Sequence, residues 1–520
     1  MAKNTKAKTI ASIKRKRTQR LASLITRSYF LHRRKEEEKM YNLICEEFMS
    51  LGGVYVKFLQ GVLLRSRVMR KWHNPDKLRI FENLDTEPID IGSVLRSELS
   101  KEALSNIVLV QPLPFAAGSF GQVYLGQLRN GKTIIIKVLR PMIRELLKHD
   151  IKLLNTFSKT FFTKLYKNMS LQINDALQDF AQATLRETDY KHEALFANEM
   201  YQRYKNHDTI HIPETYLDLC TDNVIVQDYV DGISVAHIVQ QKEKGINPVD
   251  YVREHLGSDL ITQLRSLGFE SLVGIFEMKR VQGDPHPGNI RIMKNNKVGL
   301  IDFGISAQPP EDKSGLFGLL ETYDKVFKGS QTATGLFENG LKFFVSDLYR
   351  SLKRIGEYLG KSNDRDYVNE VSKVAEEIFI QSTGSSTVAA DLRKDTSILE
   401  TITTQFNKGN RFGLIVKLEA TEILRAIQTF SSLLSTLGML HDVMPDTLSR
   451  SVEYIKTNHP EATKDSAESV SMGEAIETVA NWLERIANKD PLLFRQISEK
   501  INASTAIAPI VNLATETKGS

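Results

Sequence analysis

Two aspartate-containing loops flank a predicted β-hairpin between residues 283 and 304. The first loop, residues 283–289, reads GDPHPGN, and the second, residues 301–304, reads IDFG. The segments between them have the composition of two short strands, and Asn295-Asn296 is typical of the tight turn that joins such strands. Asp284, Asn289 and Asp302 supply two carboxylates and an amide oxygen, which are the hard ligands that Mg²⁺ prefers.

The spacing of these three residues is that of the catalytic and metal-binding loops of protein kinases. In those enzymes a catalytic Asp precedes a metal-binding Asn by five residues, and the Asp of an Asp-Phe-Gly turn holds magnesium. Asp284, Asn289 and Asp302 reproduce that order. We therefore expect Asp284 to act as base or orienting acid and Asn289 and Asp302 to bind metal. The alternative is that all three are ordinary turn residues.

A loop of small residues lies upstream, where residues 116–123 read AAGSFGQV. It opens a predicted hairpin that turns at Asn130-Gly131 and ends at Lys137. Main-chain amides of such a loop can approach phosphates, and Lys137 would contact the α- and β-phosphates of ATP and pair with a helix glutamate. The candidate ATP-binding residues are Ala116, Ala117, Gly118, Ser119, Phe120, Gly121, Val123, Lys137, Gln227 and Tyr229.

The partner of Lys137 is sought in a helix predicted over residues 172–204. Glu187 and Glu193 lie six residues apart, which places them roughly 120° apart around a helix. We expect Glu193, one turn from Asp189, to pair with Lys137 as part of the catalytic set, and Glu187 to meet another cation. For each acid, a solvated helix face is the alternative interpretation.

A further helix is predicted over residues 36–68, with Gly52-Gly53 followed by Lys57 and Gln60 on one face. With the loops above and the Glu187-Thr188-Asp189 motif, this segment resembles the UbiB family of atypical, protein-kinase-like proteins. The resemblance covers about residues 52–304.

In that family the Lys and Gln of a Lys-x-Gly-Gln motif fold over the active site, and the lysine pairs with the Glu of Glu-x-Asp. The resemblance therefore implies a contact between Lys57 and Glu187, with Gln60 and Asp189 as the other motif residues. It also implies a bilobal α+β protein-kinase-like fold with an N-terminal helical extension and a large helical C-terminal region. Five segments are expected. They are a basic arm (1–35), a helical extension (36–110), an N-lobe (111–232), a C-lobe (233–340) and a helical C-terminal region (341–520).

Several positions depart from the family pattern. Leu59 stands where the family usually has Gly, Gly118 where it has Ala, and Gln282 where it has His. His286 occupies the position of a lysine in protein kinases, and no Ala-Pro-Glu follows Gly304 at a suitable distance. The last departure argues against a protein substrate. We expect Gly118 to alter nucleotide preference and phosphoryl-transfer competence.

Charge is concentrated at the N-terminus. Residues 1–35 hold 12 Lys and Arg and no Asp or Glu, whereas the rest of the chain has more acidic than basic residues. This arm is expected either to be solvated and mobile or to contact an anionic partner, which is a membrane surface or nucleic acid. Nucleic acid is the less expected of the two and is not an expected partner of the body. No uncharged apolar stretch reaches the roughly 20 residues of a membrane span, and Cys45 and Cys220 show no paired spacing. A cytoplasmic location, peripheral at the membrane, follows, with organelle targeting by the Arg-rich arm left open.

The leading interpretation is an ATP- and Mg²⁺-dependent atypical kinase or ATPase. The resemblance adds a link to quinone or isoprenoid-lipid metabolism, as in ubiquinone biosynthesis. Expected cofactors are ATP or ADP and Mg²⁺, and expected partners are an isoprenoid lipid or quinone precursor and a second copy of the chain. A nucleotide-binding pseudokinase scaffold and a surface-binding module that acts through the basic arm are the alternatives.

Overall fold

The computed structural model describes residues 2–59, 88–118, 120–165, 177, 180, 181, 184–329, 336–363, 417–464, 470–489 and 495. The chain divides into two units. The first comprises Met1–Asn206, Ile212–Val230 and Asp302–Ile305, and the second comprises His207–His211, Asp231–Ile301 and Ser306–Ser520. Gln60 and Ser119 lie outside the described residues.

The helices are numbered here in chain order. In the first unit they are α1 (Ala2–Arg33), α2 (Glu37–Leu51), α3 (Val54–Phe58), α4 (Ile91–Glu98), α5 (Lys101–Ser105), α6 (Ile143–Leu165) and α7 (Tyr190–Tyr204). In the second they are α8 (Val235–Glu243), α9 (Pro248–Leu256), α10 (Leu260–Glu277), α11 (Ser314–Phe327), α12 (Leu336–Phe344), α13 (Ser346–Asn363), α14 (Leu418–Leu437), α15 (Leu440–Asn458) and α16 (Met472–Lys489).

The strands are short and fall in both units. They are β1 (Ile107–Val110), β2 (Ala116–Ala117), β3 (Gly121–Leu128), β4 (Thr133–Leu139), β5 (Ile210–His211), β6 (Val224–Asp228), β7 (Ile233–Ser234), β8 (Val281–Gln282), β9 (Ile290–Ile292), β10 (Val298–Leu300) and β11 (Ser306–Ala307).

An antiparallel five-stranded sheet forms the centre of the first unit. Its order is β1-β3-β4-β6, and β2 pairs with β3. The predicted turn at Asn130-Gly131 joins β3 to β4, where Gly131 has a φ of +86° and the Asn130 side chain accepts from the backbone N–H of Lys132. Both residue types suit a tight hairpin turn, which is why the sequence predicted this hairpin correctly.

Successive side chains point to opposite faces of this sheet, and each face is covered by different elements. On one face Tyr124, Ile136 and Val226 form a core with residues of α4. On the other face Ile225 joins a core built mainly from α1, α2, α3, α6 and α7. The first unit is therefore a sheet between two apolar layers.

The N-terminal segment differs from its prediction in two ways. Residues 1–35 are mostly helix α1, which packs on α2 and α6 and buries Leu21 and Leu24, rather than a mobile arm. The helix predicted over residues 36–68 is interrupted, because Gly52 and Gly53 adopt φ values of +67° and +53° that separate α2 from α3. The apolar period continues across this break, so the sequence pattern alone did not reveal it.

The second unit is mostly helical. Its four-stranded sheet has the order β5-β10-β9-β7, and the two strands β11 and β8 pair separately. Asn295 and Asn296 have φ values of +58° and +55° and form the predicted turn between β9 and β10. Between residues 233 and 281 the chain forms three helices, α8, α9 and α10, the last of which ends at Glu277.

In the described part of the chain, none of the helices is long and apolar enough to span a membrane.

Candidate functional site

A buried ion pair links the sheet of the first unit to α7. The Lys137 Nζ of β4 donates to the Glu193 Oε1 at 2.7 Å, and the two side chains are only 13% and 7% exposed. Burial alone would lower the pKa of Lys137, but the carboxylates of Glu193 and Asp302 outweigh burial and raise it. Lys137 is therefore a firmly protonated ammonium with a fixed position, as the predicted pairing with Glu193 requires.

Asp302 supplies a second carboxylate to this cluster. Burial raises the pKa of Glu193, and Asp302 raises it further, against the opposing effect of Lys137. One ammonium is thus shared by two carboxylates, and the cluster carries an excess of negative charge. Such an excess favours a cation close to Asp302.

The Asp-Phe-Gly turn is fixed by its aromatic residue. Phe303 is fully buried, and its ring lies edge-on to Phe196 of α7 with centroids 5.8 Å apart. The Asp302 Oδ1 accepts from the backbone N–H of Gly304 at 2.9 Å. The same helix α7 therefore carries Glu193 and positions the turn that presents Asp302.

Lys57 of α3 pairs with Glu187, as the family resemblance implied. Its ammonium also lies 4.6 Å from the ring centroid of Phe120, a residue of the small-residue loop 116–123, called here the nucleotide loop after its expected role. The contact with Phe120 was not predicted, because the two residues are 63 positions apart and nothing in the local pattern of either one points to the other.

The reasoning that separated Glu187 from Glu193 was wrong although each acid meets the expected lysine. These acids are not on one helix, because α7 begins only at Tyr190 and Thr188 lies in a turn. Asp189 is the N-cap of α7, and its side chain accepts from the backbone N–H of His192 at 3.1 Å. An Asp in this role explains why the helix begins there.

The nucleotide loop is a narrow turn between β2 and β3. The backbone N–H of Gly118 donates to the Gly121 carbonyl at 2.9 Å, and Arg140 donates to the Gly118 carbonyl at 2.9 Å. A Cβ on Gly121 would lie 2.6 Å from the Tyr190 hydroxyl, whereas one on Gly118 would meet nothing closer than 3.9 Å. Gly121 is thus required by packing, and the role of Arg140 was missed from sequence.

The end of β6 carries the remaining candidates for nucleotide binding. Gln227 is fully buried, and its Nε2 donates to the Thr215 Oγ1 at 2.9 Å. The backbone N–H of Tyr229 donates to the Thr133 carbonyl, and the ring of Tyr229 lies edge-on to Phe115, which is 47% exposed. Val123 pairs with Lys137 across β3 and β4, so their side chains share one face of the sheet.

In the second unit, the loop that contains Asp284 is braced by Gln282. The Gln282 side chain accepts from the Asp284 N–H at 2.5 Å and donates to the Asp284 carbonyl at 3.1 Å. A single amide therefore fixes both backbone groups of Asp284. The position that is usually His in the family is filled here by a group that does not titrate.

The rest of this loop is held by the His286 side chain and by a backbone hydrogen bond from Ile301. The His286 ring accepts from the N–H of Gly288 at 3.2 Å, which makes His286 a local cap at the start of a short 3₁₀ turn over Pro287–Asn289. The Asn289 carbonyl accepts from the Ile301 N–H at 3.1 Å, which ties the end of the loop to the strand before Asp302.

Comparison with known proteins decides the family. A family model described as the ABC1 atypical kinase-like domain matches residues 82–322. The chain is 25% identical over 376 residues to the probable protein kinase UbiB of Aliivibrio fischeri (strain MJ11). This alignment covers 71% of the chain and 62% of that protein. Residues 82–322 thus form a domain of the ABC1 atypical kinase-like family, and the chain is similar to UbiB/AarF-type proteins. The family recognised from sequence motifs and the predicted kinase-like α+β fold are both confirmed.

Other relatives are similar to a smaller part of the chain. It is 26% identical over 268 residues to the protein ACTIVITY OF BC1 COMPLEX KINASE 1, chloroplastic, of Arabidopsis thaliana, and the match covers 51% of this chain and 37% of that one. The matches thus span about two fifths to three fifths of these relatives' own lengths. A solved structure of Rv3197 with erythromycin from Mycobacterium tuberculosis aligns with 80% of this chain and 98% of that one, at a TM-score of 0.43 and 16% identity.

Proposed function

We propose that this chain is an ATP- and Mg²⁺-dependent phosphotransferase or ATPase. The observation that carries the proposal is the buried cluster in which Lys137 is held by Glu193 beside the carboxylate of Asp302. Protein kinases use such an ammonium, fixed by a helix glutamate, to contact the α- and β-phosphates, and an Asp-Phe-Gly aspartate to hold metal.

The donor set fits Mg²⁺. Asp302 and Asn289 offer hard oxygen ligands, and the excess of carboxylate charge around Lys137 favours a cation at Asp302. When bound, Mg²⁺ would neutralise charge on the phosphate oxygens. Lys137 would orient the phosphates, and Asp284, held by Gln282, would orient or deprotonate the nucleophile.

Phosphate release from ATP by the purified full chain tests this proposal. We expect turnover that requires Mg²⁺ and is abolished by removing the Lys137 ammonium in Lys137→Met. A chain that binds ATP but releases no phosphate under any condition would instead support the pseudokinase scaffold. A chain that binds no nucleotide would contradict both readings.

The acceptor that we propose is a quinone precursor or another isoprenoid lipid, and this step rests on the family resemblance. Two additions to the assay distinguish the outcomes. Transfer of labelled γ-phosphate to a soluble quinone-precursor analogue would identify a phosphotransferase. Faster phosphate release without labelled lipid would identify a lipid-stimulated ATPase, and no response to lipid would remove the lipid link.

We also propose that the C-terminal end of α1 contacts an anionic membrane surface. Tyr29 and Phe30 are 41% and 57% exposed, and Arg27, Arg33 and Arg34 are exposed around them. Exposed aromatic side chains beside several cations suit the interface of an anionic bilayer. The surface meant here is the set Arg27, Tyr29, Phe30, Arg33 and Arg34.

Sedimentation with vesicles that contain anionic lipid tests this surface. Deletion of residues 1–35 is unsuitable, since Leu21 and Leu24 belong to the core. The double variant Arg33→Glu and Arg34→Glu should lose binding, whereas Lys205→Glu with Lys244→Glu makes the same charge change at exposed positions elsewhere and should retain it. Equal binding by both variants would contradict the proposal.

A further inference from the structure

A small cavity lies inside the second unit. Its volume is about 40 Å³, and its walls come from α10, α14, α15, the end of β10 and the segment that runs from β8 into the loop that contains Asp284. All of these elements belong to the second unit. A single water needs about 10–15 Å³, so the cavity has room for a small group of atoms.

The lining of this cavity is apolar. It includes the buried side chains of Leu272, Phe430 and Met444, and none of the lining residues that the structure describes is charged. The Thr447 hydroxyl, which also belongs to the lining, already donates to the Val443 carbonyl at 2.8 Å. Water in such a place would lack the two to four polar partners that it needs, whereas a hydrocarbon group loses nothing by entering.

The helices cannot move together to fill the cavity, because they already touch at Gly268. A Cβ on Gly268 of α10 would lie 2.8 Å from the Thr447 Cγ2 of α15 and 2.9 Å from the Phe430 Cε1 of α14. The three helices are thus as close at this point as their side chains permit. The space beside Gly268 is therefore a fixed feature of the packing.

The cavity reaches the surface at Ser271. Of the described lining residues, Ser271 is exposed and Gln282 is partly buried, and the others are buried. A molecule can thus insert a hydrocarbon group beside Ser271 and keep a polar end in water.

Two residues that hold Asp284 form part of the wall. They are Gln282, whose side chain accepts from the Asp284 N–H and donates to the Asp284 carbonyl, and Pro285, which follows Asp284 and has a restricted φ. A group that fills the cavity would pack against both of them. Packing there restricts the backbone of Asp284 from both sides.

We propose that this cavity binds an uncharged hydrocarbon group, either of a small free molecule or at the end of a lipid chain, and that its occupancy orders the loop that contains Asp284. The inference goes beyond the proposed function, because it involves neither nucleotide nor Mg²⁺.

Photolabelling of the full chain with a hexanol that carries a diazirine group tests the binding. We expect the label on α10, α14 and α15, located by mass spectrometry of peptides. Unlabelled straight-chain alcohols should compete about fourfold more strongly for each added CH₂ group, until the cavity is full and the gain stops. Competition that strengthens without such a limit would mean partition onto apolar surface and would overturn the proposal.

Two variants localise the site. Ser271→Phe places a ring at the mouth and Ala426→Leu fills space inside, so each should reduce the labelling of the three helices at least tenfold. Ser97→Phe makes the same change at an exposed serine of α4 and should label as wild type does. Thermal unfolding checks that each variant is folded, and the alcohol series uses the unaltered protein. Equal labelling of Ser271→Phe and Ser97→Phe would overturn the site.

Hydrogen exchange without nucleotide tests the effect on the loop. A saturating alcohol should slow exchange in the peptide that covers residues 283–289 at least threefold in wild type and leave it unchanged in Ser271→Phe. Unchanged exchange in wild type with the alcohol bound would overturn the ordering of the loop.

A second form of the label distinguishes the two sources of the hydrocarbon group. It is a phosphatidylcholine vesicle whose lipid carries the diazirine at the end of an acyl chain. Label on the same helices would show that a lipid chain reaches the cavity, and label from the alcohol alone would assign the cavity to small free molecules. Absence of label from both would overturn the inference and leave the proposed function in place, since no measurement here uses ATP.

Discussion

Gly118 and Gly121 lie three residues apart in the nucleotide loop but have different surroundings. A Cβ on Gly121 would lie 2.6 Å from the Tyr190 hydroxyl and 2.7 Å from the Val138 carbonyl, whereas the nearest atom to one on Gly118 is 3.9 Å away. We expect Gly121→Ala to lower the free energy of unfolding by about 1–3 kcal/mol because the strand must shift. Gly118→Ala should leave it unchanged or raise it by up to about 1 kcal/mol.

Urea denaturation of both variants checks this pair. Equal destabilisation by the two substitutions would contradict the account of the loop. The sequence-based hypothesis that Gly118 sets nucleotide preference stays a prediction, and an unchanged nucleotide profile in Gly118→Ala would contradict it.

Cys220 provides a pH-dependent prediction. Burial raises the pKa of its thiol to about 11, against an ordinary value of 9.0. At pH 8 only about a thousandth of the thiol is ionised, and the thiolate is the reactive form. In a Cys45→Ser background, Cys220 should therefore react with a thiol reagent far more slowly in the native protein than in urea.

The same shift predicts the sign of a stability change. Because the folded-state pKa of Cys220 is raised, the folded protein binds more protons than the unfolded chain between pH 9 and about pH 11. The stabilising contribution of the Cys220 thiol to the free energy of unfolding is complete below pH 9 and falls as pH rises through that window. In the Cys45→Ser background, Cys220→Ala should flatten this part of the stability profile, and an unchanged slope would contradict the assignment.

At the scale of elements, the Asp150 carboxylate of α6 connects α6 to α1 by an ion pair and to α3 by a hydrogen bond. Arg17 of α1 forms an ion pair with Asp150, and the Tyr55 hydroxyl of α3 donates to the same carboxylate at 3.0 Å. The Asp150 side chain is only 3% exposed, so its charge depends on these partners. One carboxylate thus joins α1, α6 and the helix that carries Lys57.

Loss of Arg17 should therefore be costly. Arg17→Ala leaves a buried carboxylate without its cation, and we expect it to lower the free energy of unfolding by about 2–4 kcal/mol. Arg20→Ala removes the more exposed pair with Glu47, and we expect a loss below about 1 kcal/mol. Similar losses in the two variants, measured by denaturant titration, would show that Asp150 does not fasten α1.

Local signals explain which elements the sequence predicted. The two predicted hairpin turns contain residues with positive φ values, namely Gly131, Asn295 and Asn296. Asn and Gly are the residue types that most readily adopt this conformation, so the sequence indicates such turns. The breaks before Val54 and Tyr190 were missed, since the helical periodicity continues through them. The contact of Lys57 with Phe120 depends on tertiary packing, which no local pattern records.

At the scale of the whole molecule, the basic N-terminus is part of the folded body. Its helix α1 buries Leu21 and Leu24, pairs Arg17 with the buried Asp150, and leaves other cations such as Arg15 and Lys16 exposed. Composition revealed the excess of basic residues in this segment. It did not reveal which positions are buried, because Leu21 and Leu24 are few among many charged residues. The family model ends at residue 322, so the helices α12 to α16 lie beyond the matched region.

The proposed function depends most on Asp302, and Mg²⁺-dependent ATP hydrolysis by Asp302→Asn tests it most directly. Asp208→Asn is the matched control, because Asp208 is an exposed aspartate outside the cluster. The account predicts that Asp208→Asn hydrolyses ATP at the wild-type rate, whereas Asp302→Asn loses turnover at least a hundredfold although it remains folded. Equal turnover in the two variants would contradict the claim that Asp302 holds the metal.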